Sequence, residues 1–178
     1  MGASTLAGVL LFLQLTGLIH CQAGEKMTFS MPKMSDEEQH SQHVPVNLKC
    51  DACTAVAYQM ARILGDAERK VGGRKLKESE YLDVFEKACD WEVYQDYGIK
   101  NVNGVNRISG DGLEAKDVPG MLGGGGKWPG RLAEKCGLLV GEIGEDEIYA
   151  EFRKKKNLKK LLCKVSTKDC VNIGKDEL

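Results

Sequence analysis

Apolar residues recur at intervals of three and four in four stretches of the chain, a spacing that predicts amphipathic helices. The first helix is predicted to run from Cys50 to the glycine pair at 72–73, which stops it. Its inner stripe consists of Cys53, Val56, Ala57, Met60, Leu64, Ala67 and Val71. A second helix is predicted at about residues 79–91, and its inner face carries Leu82, Phe85 and Cys89.

The third and fourth helices follow an interval without helical periodicity. Trp128-Pro129 opens the third helix, because proline suits the first helical turn. Its inner positions are Leu132, Cys136, Leu139, Val140 and Ile143. The fourth helix begins near Glu145 and restarts near Asn157, since its apolar positions change phase there, from Ile148 and Phe152 to Leu158, Leu161 and Leu162. The pattern predicts a mainly α domain of about four helices.

Residues 98–127 are predicted to form a loop-rich insertion between the second and third helices. Val102-Asn103-Gly104-Val105 is typical of a β-hairpin, because Asn-Gly tolerates positive φ at both turn positions. The stretches 110–112 (GDG) and 123–126 (GGGG) indicate flexible loop. They do not indicate a phosphate site, because the following lysine precedes Trp-Pro instead of Ser or Thr. We expect a mobile surface that other proteins can contact.

Both ends of the chain are predicted to carry sorting signals. Residues 6–19 (LAGVLLFLQLTGLI) form an apolar run of signal-peptide length, with cleavage predicted after Ala23. A polar, acidic segment is predicted at residues 24–47. The endoplasmic-reticulum retrieval signal, which the KDEL receptor binds at a free C-terminus, is formed by Lys175, Asp176, Glu177 and Leu178. We expect residence in the lumen of the reticulum, and partial secretion stays open.

Composition and charge predict one domain, at residues 48–174, and argue against several functions. The formal net charge of −1 gives no field that would attract nucleic acid. Apart from residues 6–19, no apolar stretch is long enough to form a transmembrane segment. Neither a Ser-His-Asp set nor a zinc signature can be assembled, and His40 and His43 have no cysteine pair beside them. We therefore expect no cofactor and no metal.

Seven cysteines are present, and Cys21 lies in the predicted signal peptide. The other six are Cys50, Cys53, Cys89, Cys136, Cys163 and Cys170. An even number in an oxidising compartment predicts three disulfides, for which 15 connectivities are possible. If the first and fourth helices are antiparallel, the spacing permits nested bonds between them, but it does not select them.

Several motifs make the chain resemble a known family. The order C-x-x-C, two single cysteines and C-x6-C is similar to the saposin-like pattern, and with the terminal signals it resembles the canopy branch. More specific matches to a plasma-cell member of that branch are residues 50–60 (CDACTAVAYQM), 94–98 (YQDYG), 128–132 (WPGRL) and 141–149 (GEIGEDEIY). The resemblance covers nearly the whole mature chain.

The resemblance implies a fold, a pairing and a function. The fold is a saposin-like, disulfide-stapled helical bundle with a hairpin insertion, and the implied bonds are Cys50–Cys170, Cys53–Cys163 and Cys89–Cys136. The implied function is that of a lumenal folding factor or co-chaperone for immunoglobulin assembly and secretion, mainly of IgM. The implied partners are immunoglobulin heavy and light chains and the lumenal Hsp70 and Hsp90 chaperones, with an influence on calcium stores.

Two alternative functions stay open. Cys50 and Cys53 could form a weak thiol–disulfide oxidoreductase site, because a helix N-terminus and Lys49 favour a thiolate. Asp51 opposes that charge, and the βαβ alternation of thioredoxin-like proteins is missing, which favours structural disulfides. The second alternative is a lipid-interacting module, to which the six cations of residues 153–160 could contribute.

Three further features have simpler interpretations. Five carboxylates within residues 142–151 could attract calcium, but without an EF-hand-type loop they are more typical of helix electrostatics. The carboxylates are Glu142, Glu145, Asp146, Glu147 and Glu151. The cations of residues 153–160 are typical of a solvated helix face. Trp91 and Trp128 are expected to pack into the core or fix loops.

Overall fold

The computed structural model describes residues 30–154 and 157–171, which form a helical domain with a small sheet. These residues contain five α-helices: α1 (Asp36–His40), α2 (Lys49–Lys70), α3 (Glu78–Ala88), α4 (Trp128–Ile143) and α5 (Glu145–Arg153). A π-helical segment, Lys160–Ser166, follows α5, and β1 (Gly98–Val102), β2 (Val105–Ser109) and β3 (Gly123–Gly124) form the sheet. The mainly helical, disulfide-stapled, saposin-like fold predicted from the sequence is therefore confirmed.

Helix α2 is central to the fold, because it packs against α3, α4 and the segment Lys160–Ser166. The predicted stripe is buried at Val56, Met60 and Leu64, each fully inaccessible to solvent. The helix ends in a Schellman motif, in which the N–H of Gly73 donates to the carbonyl of Glu68 at 2.8 Å. Gly72 adopts a φ of 73°, which a side chain would disfavour, and so the glycine pair stops the helix as predicted.

Helix α3 differs from its prediction in both its inner face and its end. Its buried residues are Tyr81, Phe85 and Ala88, whereas Leu82 is 38% exposed, and so the prediction for Leu82 is wrong. The stripe rotates because the Tyr81 ring stacks on Tyr149 at 4.9 Å, while its hydroxyl reaches the surface and hydrogen-bonds Asp146. That bond is the main reason why the pKa of Tyr81 is raised to about 12.

The predicted second helix stops earlier than residue 91. A separate 3₁₀ turn, Trp91–Tyr94, follows α3, and the Asp90 side chain caps it by accepting a hydrogen bond from the Glu92 N–H at 2.9 Å. Trp91 is 56% exposed, which excludes the core, the first of the two positions expected for it. Tyr94 is buried instead and donates to the Ala88 carbonyl at 2.9 Å.

Helices α4 and α5 follow the predicted pattern. Trp128 is buried at the start of α4, where Pro129 occupies the first turn, and Leu132 and Leu139 lie in the core. Gly144, with a φ of 91°, ends α4 and leads directly into α5. Ile148 is buried, and so are Leu158 and Leu162 after α5, as the predicted change of phase requires.

The insertion forms the predicted hairpin and packs more closely than expected. β1 and β2 pair antiparallel around Asn103-Gly104, and β3 adds to the other side of β1. Ile99 and Ile108 are fully buried. The Tyr97 hydroxyl accepts from Gln59 of α2 at 2.8 Å and donates to the Asp111 carbonyl at 2.6 Å. This side of the insertion is therefore part of the core instead of a free loop.

Residues 30–47 also pack on the domain. Ser35 and Glu38 cap α1 reciprocally, and the Glu38 carboxylate accepts from Asn106 of β2 at 2.9 Å. Burial alone would raise the pKa of Glu38, but hydrogen bonds from Ser35, Asn106 and Asn47 outweigh burial and lower it. The buried Arg131 guanidinium donates to the carbonyls of Glu38 at 2.8 Å and Ser41 at 2.5 Å.

We predict that Arg131→Met releases residues 35–41 while the rest of the domain stays folded. The substitution keeps an apolar stem but removes both hydrogen bonds and the cation–π contact with Trp128, whose centroid lies 4.4 Å away. The expected loss is about 1–3 kcal/mol of local stability. Hydrogen exchange of residues 35–41 measures it. Lys127→Met is the matched control, because Lys127 donates to the His40 carbonyl from an exposed position. Equal exchange in the two variants would contradict the prediction.

Candidate functional site

The cysteines of the C-x-x-C motif are each bonded to a distant partner, and not to each other. Cys50 is bonded to Cys170 with the Cα atoms 4.8 Å apart, and Cys53 to Cys163 with the Cα atoms 5.7 Å apart. These two bonds, the disulfide clamp, join the first turn of α2 to the C-terminal end of the described chain. A third bond joins Cys89 to Cys136, so the structure contains the same three pairs that the family resemblance implies.

The two bonds of the clamp differ in accessibility. Cys53 and Cys163 are fully buried, whereas Cys50 and Cys170 are half-buried. The Thr54 hydroxyl lies 4.0 Å from the sulfurs of both Cys50 and Cys170. Because thiol–disulfide exchange requires a thiolate to reach a sulfur atom, the outer Cys50–Cys170 bond is the more open to exchange of the two bonds of the clamp.

The turn before Cys170 is fixed by polar contacts. The Cys170 N–H donates to the Cys163 carbonyl at 2.9 Å. Asp169 pairs with Lys135 of α4 at 2.6 Å, and both side chains are largely buried, at 9% and 16% exposure. The C-terminal part of the clamp is therefore held by α4 as well as by α2.

Asp51, between the two cysteines, performs a role that the sequence reasoning missed. Its side chain is only 8% exposed and accepts two hydrogen bonds from Arg107 of β2, at 2.6 and 2.7 Å. It also accepts from the Ile108 N–H at 3.1 Å. Asp51 thus joins the hairpin to the start of α2. The sequence feature that could have indicated this role is a charged residue at a helix position that faces the core.

An apolar groove adjoins the clamp, with a cavity volume of about 520 Å³. Thr54 lies at the edge of both features, because it contacts the outer disulfide and lines the groove. The other lining residues come from α2, the insertion, α5 and the chain after α5: Ala57, Tyr58, Ala61, Glu68, Gly112, Phe152, Arg153, Asn157, Leu158 and Lys159. The sequence reasoning did not find this groove, since no local motif marks it.

The carboxylate of Glu68, which lines the groove, already has two partners within the fold. Glu68 accepts a hydrogen bond from the Tyr149 hydroxyl at 2.6 Å and pairs with Arg153 at 2.9 Å. Burial, together with the bond to Glu68, raises the pKa of Tyr149. Glu68 therefore acts inside the fold and is not free to meet a cation.

The remaining predicted sites are placed as follows. Asp146 of the acidic stretch accepts the Tyr81 hydrogen bond, and His43 pairs with Glu134 at 2.8 Å. Among residues 30–154 and 157–171, no group of His, Cys, Asp and Glu is arranged to hold a metal ion. In the same ranges, no helix is long and apolar enough to cross a membrane. The predicted signal peptide, Cys21, part of the cationic run and the Lys175 to Leu178 signal lie outside the described residues.

Comparison with known proteins identifies the family. No protein-family model matches the chain. The chain is 41% identical over 152 residues to "Marginal zone B- and B1-cell-specific protein" of Mus musculus, covering 79% of this chain and 80% of the relative. It is 39% identical over 167 residues to the Rattus norvegicus protein of that name, covering 85% and 88%, and 41% identical over 146 residues to the Homo sapiens protein, covering 77% of each. The chain belongs to the marginal zone B- and B1-cell-specific protein family.

In this member of the marginal zone B- and B1-cell-specific protein family, we predict that Asp51→Asn destabilises the domain by about 2 kcal/mol. The substitution keeps the size of the side chain but removes the charge that Arg107 contacts. The expected loss of stability is smaller than that for a fully buried ion pair, because Arg107 is 41% exposed. Urea unfolding with the disulfides intact measures the change. Asp111→Asn is the control, since the Lys116–Asp111 pair is about half exposed and is expected to contribute less than ~1 kcal/mol. A loss no larger than that of the control would contradict the role given to Asp51.

Proposed function

We propose that this protein is a folding factor of the endoplasmic-reticulum lumen that assists immunoglobulin assembly and secretion, mainly of IgM. The observation that carries the proposal is membership of a family whose relatives are named for marginal zone B and B1 cells, which produce antibody. The sequence Lys175-Asp-Glu-Leu178 supports lumenal retention by the KDEL receptor. Lumenal Hsp70 and Hsp90 chaperones, and an influence on calcium stores, belong to the same proposal.

The proposed mechanism is non-covalent. Three disulfides make a stiff scaffold, and stiffness lowers the entropy that is lost when a surface binds its partner. The apolar groove beside the clamp offers a surface for incompletely assembled heavy or light chains, which expose apolar segments that assembly later buries. The scaffold holds such a segment away from other exposed chains until its natural partner displaces it.

The test is depletion and rescue in an antibody-secreting cell line. We expect loss of the protein to slow the release of polymeric IgM in a pulse–chase experiment by about twofold or more, and re-expression of the full chain to restore it. A chain without the last four residues should be found in the medium and restore release poorly. Release that is unchanged after depletion would overturn the proposal.

A second candidate function is weak thiol–disulfide exchange, and the half-buried outer bond favours it. A client thiolate attacks the sulfur of Cys170 or Cys50, forms a mixed disulfide and releases the other cysteine as a thiolate. A second client thiolate then resolves the mixed disulfide, so that the protein is left with two thiols and the client gains one disulfide. The buried Cys53–Cys163 bond holds the fold meanwhile.

If exchange operates, mild dithiothreitol followed by alkylation should label Cys50 and Cys170 well before Cys53 and Cys163. A variant with Cys50→Ser and Cys170→Ser should then fail to oxidise a reduced dithiol peptide, which the unaltered protein converts to its disulfide. Restoration of IgM release by this double variant would exclude exchange as the operating mechanism and leave the non-covalent one. Simultaneous labelling of all four cysteines would contradict the difference in access.

A further inference from the structure

The groove beside the clamp has room for a side chain from another molecule. Ala57 and Ala61 lie one helical turn apart on α2, and their small side chains leave space where larger residues would fill it. Tyr58, Phe152 and Leu158 provide apolar surface around that space. A concave apolar volume of about 520 Å³ lies in the range of sites that bind ligands.

One wall of the groove depends on a close approach between two elements. The Tyr58 ring lies against Gly112 of the insertion, at a place where a Cβ atom would collide with the ring. Gly112 also has a φ of 80°. A side chain at this position is therefore disfavoured both by the collision with Tyr58 and by the backbone conformation. Tyr58 is nevertheless 42% exposed, which leaves part of this large side chain available for contact.

The charges around the groove favour an anionic partner. Among the described residues, the charged ones that line it are Arg153, Lys159 and Glu68, and these three carry a net charge of +1. Glu68 is only 13% exposed and is bound to Arg153 and Tyr149. Within residues 30–154 and 157–171, no carboxylate lies within ion-pair distance of Lys159. An incoming carboxylate would therefore find a cation without a competing acid.

The polar groups at the edge favour a peptide. Thr54 places a hydroxyl beside the groove and Asn157 a side-chain amide. Both can bond the N–H or C=O groups of a polypeptide backbone, and an acyl chain has neither. The volume suits one or two bulky side chains instead of a folded surface.

We propose that this groove binds a short segment of an incompletely folded client, in which a bulky apolar side chain lies next to a carboxylate. The apolar side chain enters between Ala61 and Phe152, and the carboxylate meets Lys159. The inference rests on the proposed function, because it names the chemistry of the client segment.

The first measurement uses two acetylated, fluorescein-labelled nonapeptides and the full mature chain. Both peptides have a central phenylalanine in a glycine–serine background, flanked by aspartates in one peptide and by lysines in the other. By fluorescence anisotropy we expect the aspartate peptide to bind about three- to tenfold more tightly. The difference should shrink as salt rises from about 0.05 to 0.5 M, because salt screens surface charges.

The second measurement compares three variants with the aspartate peptide. Ala61→Trp fills the groove and should abolish binding. Lys159→Glu reverses the charge that the client carboxylate is proposed to meet and should weaken binding about tenfold. Lys164→Glu is the matched control, because it makes the same charge change at an exposed position in the same segment outside the groove, and it should leave binding unchanged. If Ala61→Trp fails to fold in a thermal melt, the pair of lysine variants decides the question.

Three results would overturn the inference: equal affinity for both peptides, full binding by Ala61→Trp, or equal losses in the two lysine variants. Binding to phosphatidylserine vesicles without binding to either peptide would also overturn it and would favour a lipid surface. The secretion assay separates this failure from that of the proposed function. If Ala61→Trp restores IgM release, the groove is not the client site, whereas if the unaltered chain does not restore it, the proposed function itself fails.

Discussion

The first turn of α2 is the constraint on which the rest of the domain depends. Three of its residues connect to other parts of the chain: Cys50 and Cys53 to the C-terminal end, and Asp51 to the hairpin. Because these residues are adjacent on one helical turn, the positions of the hairpin and of the C-terminal segment are fixed relative to each other. A single helical turn therefore positions two elements that are distant from each other in sequence.

The two bonds of the clamp do not contribute equally. In the chain-entropy picture, closing a loop of 110 residues stabilises the fold by about 5 kcal/mol. Once that loop is closed, the second bond closes only a small ring made of residues 50–53 and 163–170. Its contribution to the stability of the fold is therefore smaller, about 3 kcal/mol. The outer bond is thus both the more accessible one and the one whose opening costs less. A domain that keeps its inner bond can open its outer bond and stay folded.

Local physics made much of the fold predictable, but the site depends on contacts between distant residues. Helical periodicity identified α2, α4 and α5, and Asn-Gly identified the hairpin, since these signals lie within a few residues of one another. Leu82 was misplaced because the inner face of α3 is decided by a partner elsewhere in the chain, through the stacking of Tyr81 on Tyr149. The Asp51–Arg107 pair could not be predicted without knowing which strand crosses the helix start. The groove was equally hidden, because its walls come from four parts of the chain.

The nested arrangement also imposes an order on biosynthesis. Cys163 and Cys170 follow their partners by 110 and 120 residues, which takes a ribosome roughly 6 to 24 s. During that interval the nearest cysteine in the sequence to each of Cys50 and Cys53 is the other, three residues away. Cys89 and Cys136 are synthesised before Cys163 and are 47 residues apart. A bond within the C-x-x-C motif is therefore the error that we expect of the nascent chain, and its correction by thiol–disulfide exchange is slow unless an isomerase catalyses it. A protein proposed to help other chains fold would itself be a substrate of the same oxidative machinery.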